Sequence, residues 1–185
     1  VVALLCLVAA GRADAGEPKT HDGLFLRLSG GPGIATTELE GVKLDGSTAD
    51  LNLAVGAVVS RNLAIHGTYF GWLTSDPDIE ISGVGSGTAT GDLDLSAFGA
   101  GLTYYFMPAN IYVSGSAGAG SLTFDNAGTD TGFIGEITAG KEWWVGGSWG
   151  LGLNGSFGYH TVPDGDVSGS WSGTSFALRF SATLN

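Results

Sequence analysis

The chain is short of basic residues and nearly without cysteine, and each shortage excludes something. Seven Lys and Arg stand against eighteen Asp and Glu, a formal net charge of −11. Such a surface repels phosphate, which argues against nucleic acid or an anionic membrane surface as a direct partner. The one cysteine, Cys6, lies in an apolar N-terminal run, so disulfides and thiol chemistry have no part beyond that run. No apolar run is long enough to cross a bilayer as a helix. After the N-terminus, no segment repeats its apolar residues with the 3.6-residue period of a helix. HxH, CxxC and GxGxxG give no interpretable signal, and the 33 glycines read as strand filler rather than a phosphate cradle. They also lack the every-third-residue period of collagen. An apolar fraction of 43% is too high for a disordered chain, and 185 residues suit a single domain.

What the chain has in abundance is alternation. In residues 174–184, TSFALRFSATL, one parity holds Phe176, Leu178, Phe180, Ala182 and Leu184. The other holds Ser175, Ala177, Arg179, Ser181 and Thr183. Side chains alternate faces along a strand, so this strand has one apolar and one polar wall. Seven further stretches share the pattern, over residues 24–36, 51–60, 63–73, 97–106, 110–124, 132–145 and 149–160. Pro32 lies among Gly30, Gly31 and Gly33 and predicts a bulge or bend, since proline cannot donate to a ladder. Polar connections are long over residues 37–49, 75–91 and 161–173 and of medium length over 125–131. Arg61-Asn62, Met107-Pro108-Ala109 and Gly146-Gly147 are tight turns. An up-and-down sheet whose connections alternate long and short has two unlike ends. That pattern predicts an all-β fold, an eight-stranded antiparallel up-and-down transmembrane β-barrel with short periplasmic turns and longer outer loops. Closing the sheet removes the edges that lipid would not tolerate.

The N-terminal VVALLCLVAAGRADAGEP carries a short apolar run and then Ala13-Asp14-Ala15, an A-x-A cleavage pattern. Residues 1–15 are therefore expected to be an export signal, cut short at its start. Residues 16–23 are expected to be a periplasmic lead-in and 24–185 the barrel.

Wall chemistry sets which side faces lipid. A soluble lipocalin-like barrel needs its apolar wall inside and a water-facing wall rich in Lys and Glu. Here the second wall is Gly, Ala, Ser, Thr and Asn, a poor solvent face but a suitable cramped interior for eight strands. By parity the lumen receives Arg27, His66, Glu136, Glu142 and Arg179. Buried charges need partners, so these five are expected to form an Arg–Glu network that plugs the barrel, or else a narrow polar path. Tyr104, Phe106, Trp143, Trp149 and Phe180 cluster near the short turns and suit an interfacial aromatic girdle. Lys141 lies on the apolar parity and fits only if it snorkels to the interface. Glu38, Glu40, Asp45, Asp50, Asp76, Asp78, Glu80, Asp92, Asp94, Asp125, Asp130, Asp164 and Asp166 fall in or beside the long connections, answered there by Lys43 alone. Solvation of the loops is the plain reading, with divalent cations bridging to lipopolysaccharide the other.

The stretches NLAVGAVVSRNLAIHGTYFGW, GLTYYFMPANIYVSGSAG and GKEWWVGGSWGLGLNGSFGYH are similar to uncharacterised outer-membrane β-barrel proteins of Gram-negative bacteria. In architecture the chain resembles the small eight-stranded barrels typified by OmpX, OmpW and the membrane domain of OmpA. The resemblance implies a porin-like outer-membrane protein, monomeric and without a cofactor. Its implied partners are outer-membrane lipid, lipopolysaccharide and the barrel-assembly machinery. The assembly signal of the family usually ends on an aromatic residue; here it would rest on Phe176, Phe180 and Leu184. The expected role is structural or surface-exposed, with acidic outer loops and a largely plugged polar lumen. The alternative is a narrow, OmpW-like conduit for small or hydrophobic solutes. A lipid-modifying enzyme would need His160, Ser156 and Asp164 to converge, and no catalytic activity is expected. Calcium could meet Asp76-Pro77-Asp78, Asp92-Leu93-Asp94 or Asp164-Gly165-Asp166, but none has the twelve-residue loop pattern, and no metal site is expected.

Overall fold

All eight expected strands form, several of them longer than polarity alone suggests. The computed structural model describes residues 21–125, 127–165 and 167–184. The expected export signal and most of the lead-in lie outside the described residues. The strands are β1 (Gly23–Leu39), β2 (Val42–Ser60), β3 (Leu63–Ser75), β4 (Asp78–Ile81), β5 (Gly85–Thr88) and β6 (Asp92–Phe106). They continue with β7 (Ile111–Phe124), β8 (Ala127–Gly128), β9 (Gly132–Trp144), β10 (Trp149–Pro163) and β11 (Ser170–Leu184). β1, β2, β3, β6, β7, β9, β10 and β11 form the barrel, each antiparallel to the next, and β1 closes it by pairing with both β2 and β11.

The register fixes the size of the barrel. From Leu28, paired residues run through Leu53, Tyr69, Phe98, Ala119, Phe133, Thr161 and Ser172. The path returns to β1 at Glu38, ten residues beyond its start. Strand spacing of about 4.8 Å and a rise of about 3.3 Å per residue then tilt the strands by about 40° and set a backbone radius of about 8 Å. Only side chains fit inside a barrel of that radius.

Four expectations need correction. Residues 37–49 are strand rather than loop. β1 and β2 stay paired up to Leu39 and Val42 and turn on Glu40 and Gly41, with φ of 46° and 83°. Two positive φ values give a turn whose twist matches the flanking strands. Residues 75–91 are also largely sheet: β4 and β5 form a hairpin, and β4 pairs with β2 from Val42–Ile81 to Asp45–Asp78. The connection after β10 shortens in the same way, since β11 begins at Ser170. Pro32, finally, makes no bulge. The β1–β2 register passes it unchanged, while the β1–β11 ladder skips from Gly30–Phe180 to Gly33–Ala177. The missing N–H removes local pairing on one side only, and the register shift lies instead between Val58 and Ser60 beside a short turn.

Outside, Leu24, Leu28, Val55, Leu102, Leu151 and Leu178 are exposed all around the barrel. On β10 the outward apolar residues span Trp149 to Tyr159, a band about 25 Å tall after tilt. Wrapped around the circumference, it covers on the order of 2,000 Å², whereas soluble monomers rarely expose more than a few hundred Å² in one patch. Lipid is the solvent of this face.

Above the band the phase inverts without a change of register. On β6, Phe98, Leu102 and Tyr104 face out and Gly101 and Thr103 face in, yet nearer the outer end Asp92 faces out while Leu93 and Leu95 are buried inside. The β6–β7 ladder is continuous through both regions. β2 repeats the change: Leu51 and Leu53 point out beside inward Asn52, but Leu44 is buried and Thr48 and Asp50 follow it inward. Where the outer face meets water instead of lipid, the apolar side chains go inside.

Candidate functional site

The barrel interior is built in tiers, beginning at the short-turn end. Asn62 and Asn110 hold the left-handed positions of two tight turns, at φ 63° and 52°, a conformation asparagine tolerates well. Their side chains meet His21. Its backbone N–H donates to Asn62 Oδ1 at 3.4 Å, and its Nε2 lies 2.7 Å from Asn110 Oδ1. The His21 ring stacks on Tyr105 at 3.5 Å, and Tyr105 lies against Tyr112. Phe25, Ala54 and Ala64 complete a small apolar cluster. Glu142 sits within this tier. Its Oε1 accepts from Thr183 Oγ1 at 2.6 Å and from Tyr105 Oη at 3.4 Å.

The next tier is a chain of polar groups crossing the lumen. His66 Nε2 lies 3.0 Å from Thr103 Oγ1, which donates to Ser114 Oγ at 2.9 Å. Ser114 also accepts from Arg27 Nη2 at 3.1 Å. The Arg27 guanidinium stands 4.6 Å from the centre of the Tyr112 ring, a cation–π contact.

Higher up, one arginine holds two carboxylates. Arg179 Nε donates to Asp50 at 3.1 Å, and its Nη2 bridges Asp50 and Glu136. Glu136 also accepts from Asn52 at 3.0 Å and from Thr138 at 3.3 Å, and Thr48 donates to Asp50 at 3.3 Å. All three charged groups are buried. The triad ties β11, β2 and β9 together across the interior and carries a formal charge of −1.

The outermost tier is apolar. Phe70, Trp72, Leu93, Leu95, Leu122 and Ile134 belong to a packed cluster, and Ile79, Phe124 and Trp171 lie against it. His160 Nε2 lies 2.9 Å from Thr37 Oγ1 beside it. This part of the interior is not the wall of small polar residues the sequence pattern predicts. Outside the barrel, at the outer end, Lys43 pairs with Asp45 at 3.0 Å. The hydrogen bond and charge of Asp45 hold the lysine above its usual range.

The five predicted lumen residues are all buried inside, but they do not form one Arg–Glu network. Arg179 binds Glu136, whereas Arg27 meets a hydroxyl and aromatic rings, Glu142 meets hydroxyls, and His66 meets Thr103. The second carboxylate of the triad is Asp50, which the polarity reading assigns to the outer acidic set. The parity of Asn52 and Ala54, continued one step, would have placed it inside. Tyr104, Phe106, Trp143 and Trp149 face outward near the short turns. Phe180 also faces outward but pairs with Leu153, four residues above Trp149, about 10 Å deeper in the band. Phe98, Phe133, Phe157, Tyr159 and Phe176 make a second outward set toward the outer end. Lys141 Nζ reaches the Ala109 carbonyl at 2.6 Å, so it snorkels to the short-turn end.

The enzyme arrangement does not assemble. Ser156 and His160 are four residues apart along β10, about 13 Å, and Asp164 accepts from Trp171 Nε1 at 2.8 Å. Among the described residues, no group of three or more His, Cys, Asp or Glu could hold a metal ion. Asp76 instead accepts from the Gly91 amide and Asp92 from Ser75.

A closed eight-stranded barrel with a lipid-facing belt is an integral outer-membrane β-barrel. Its fold is similar to that of Neisserial surface protein A: 12% identity, 90% of this chain and 99% of that one covered, TM-score 0.59. It is also similar to Ail, the attachment invasion locus protein of Yersinia pestis, solved with the heparin analogue sucrose octasulfate. There the identity is 16%, coverage 87% and 99%, and the TM-score 0.52. AlkL, an outer-membrane protein solved in lipid bilayers, gives 15% identity, coverage 94% and 95%, and a TM-score of 0.50. No family model matches the chain, and no curated protein matches it.

Proposed function

We propose that this protein is a non-conducting, surface-exposed barrel whose acidic outer sheet meets the cell's surroundings. The observation that carries the reading is the filled interior: the His21–Tyr105 stack, the Arg179 triad and the Trp72 cluster occupy successive levels of one narrow tube. The outer sheet supports the second half of it. The β4–β5 hairpin projects above the band, and Val84 at its tip is 81% exposed. A surface role also fits the name of Neisserial surface protein A. Binding of a sulfated polyanion, as in the Ail complex, does not suit an outer end with many acids and Lys43 alone among Lys and Arg. The proposed neighbours are outer-membrane lipid and lipopolysaccharide around the belt and the assembly machinery during insertion, with the barrel working as a monomer. We assign it no catalysis, in keeping with the separation of His160 from Ser156.

Planar-bilayer recording of the refolded protein tests this reading, together with protease shaving of intact cells. The expected result is no resolvable conductance steps and cleavage within the β4–β5 hairpin. Steady unitary steps from the wild type would favour a narrow conduit and overturn the non-conducting assignment.

A further inference from the structure

A cavity of about 160 Å³ opens at the outer mouth, above the apolar tier. Leu44, Leu93, Leu122, Phe124 and Trp171 line it, and so does Asp164. The Trp171 indole donates to Asp164 at 2.8 Å, which fixes the ring beside the carboxylate. Lys43 is engaged by Asp45.

Volume and charge together define an occupant. An apolar cavity of about 150 Å³ holds one benzene ring. A carboxylate and two aromatic rings at its margin favour a cation over a neutral or anionic group. We propose that this cavity is a binding site for a small primary amine bearing a single ring or an equally bulky branched apolar group. The apolar part fills the space among the leucines, and the ammonium meets Asp164. The packed tier beneath closes the inner side, so the site is a receptor pocket rather than the entrance to a path. It needs no conducting lumen, so its test is independent of the functional reading above.

The test is ¹⁹F NMR titration of the full chain in lipid nanodiscs with 4-fluorobenzylamine, with empty nanodiscs measured to subtract partitioning into lipid. The expected result is saturable binding that unlabelled benzylamine displaces. 4-Fluorobenzyl alcohol should bind more weakly and 4-fluorophenylacetate should not bind. Asp164→Asn should weaken the amine about fivefold, as for a partly exposed ion pair. Gly128→Phe adds a ring from the cavity wall, where a Cβ would meet only the Leu122 carbonyl at 4.0 Å, and should abolish binding. Leu122→Phe fills the same space from another wall and serves if the first variant does not fold. Heat-modifiable gel mobility checks the fold of each. No saturable binding, equal affinity for alcohol and amine, or undiminished binding by a folded cavity-filled variant would overturn the proposal.

Discussion

Replacing Arg179 with methionine isolates the energetics of the interior. In the wild type its guanidinium bonds Asp50 and Glu136, and all three groups are buried. Removing the cation leaves two carboxylates facing each other in a medium that solvates neither. Breaking one side of a buried ion pair costs about 3–5 kcal/mol, and a triad already one negative charge in excess belongs at the upper end. Asp50→Asn is the opposite case. It leaves Arg179 paired one-to-one with Glu136 and keeps an oxygen acceptor in place, so the loss should be about 1 kcal/mol. The triple variant Arg179→Met, Asp50→Asn, Glu136→Gln should recover most of the loss, because no unpaired charge remains. Reversible guanidinium unfolding in lipid vesicles, followed by heat-resistant gel mobility, measures all three. If Arg179→Met costs less than about 1 kcal/mol, or Asp50→Asn costs as much as Arg179→Met, the reasoning fails.

Other perturbations test the belt, the apolar tier and the outer hairpin. Leu153→Arg, in the lipid-facing band, should cost about 2–4 kcal/mol in the same unfolding assay, while Val167→Arg in the outer loop should change it by less than about 0.5 kcal/mol. Trp72→Ala removes the largest ring of the apolar tier and should cost about 3–5 kcal/mol; a loss below about 1 kcal/mol would mean that the tier is loosely packed. Gly41→Val forces a branched side chain to φ 83° and should loosen the β1–β2 hairpin. Amide exchange at Leu39 and Val42 should quicken while the unfolding midpoint stays unchanged.

The strands within the band were legible because lipid and a cramped lumen impose opposite chemistries on alternate residues. Leu24, Leu26 and Leu28 against Phe25, Arg27 and Ser29 state the register of β1 directly. Above the bilayer the rule reverses, and the same criterion misleads. Asp92-Leu93-Asp94-Leu95 alternates in perfect order but opposite phase to Phe98-Ala100-Leu102, so a reader holding one phase begins the strand at Ala97. Lys43, Leu44 and Asp45 look like loop for the same reason, although they are paired sheet with an aqueous outer face. Asp50 was lost at this boundary, because an acid next to a polar segment reads as surface. That Glu142 lies with Thr183 and Tyr105 rather than with Arg27 depends on barrel stagger. Stagger emerges only from the register of all eight strands.

The most direct test follows the phase inversion along β6. Single spin labels are placed from residue 92 to residue 104 in a chain lacking Cys6, and collisions with lipid-soluble oxygen and a water-soluble nickel chelate are compared. Positions 98, 100, 102 and 104 should favour oxygen and 92 and 94 the chelate, with 93 and 95 shielded from both. Oxygen access at 93 and 95, or chelate access at 98 and 102, would contradict the account.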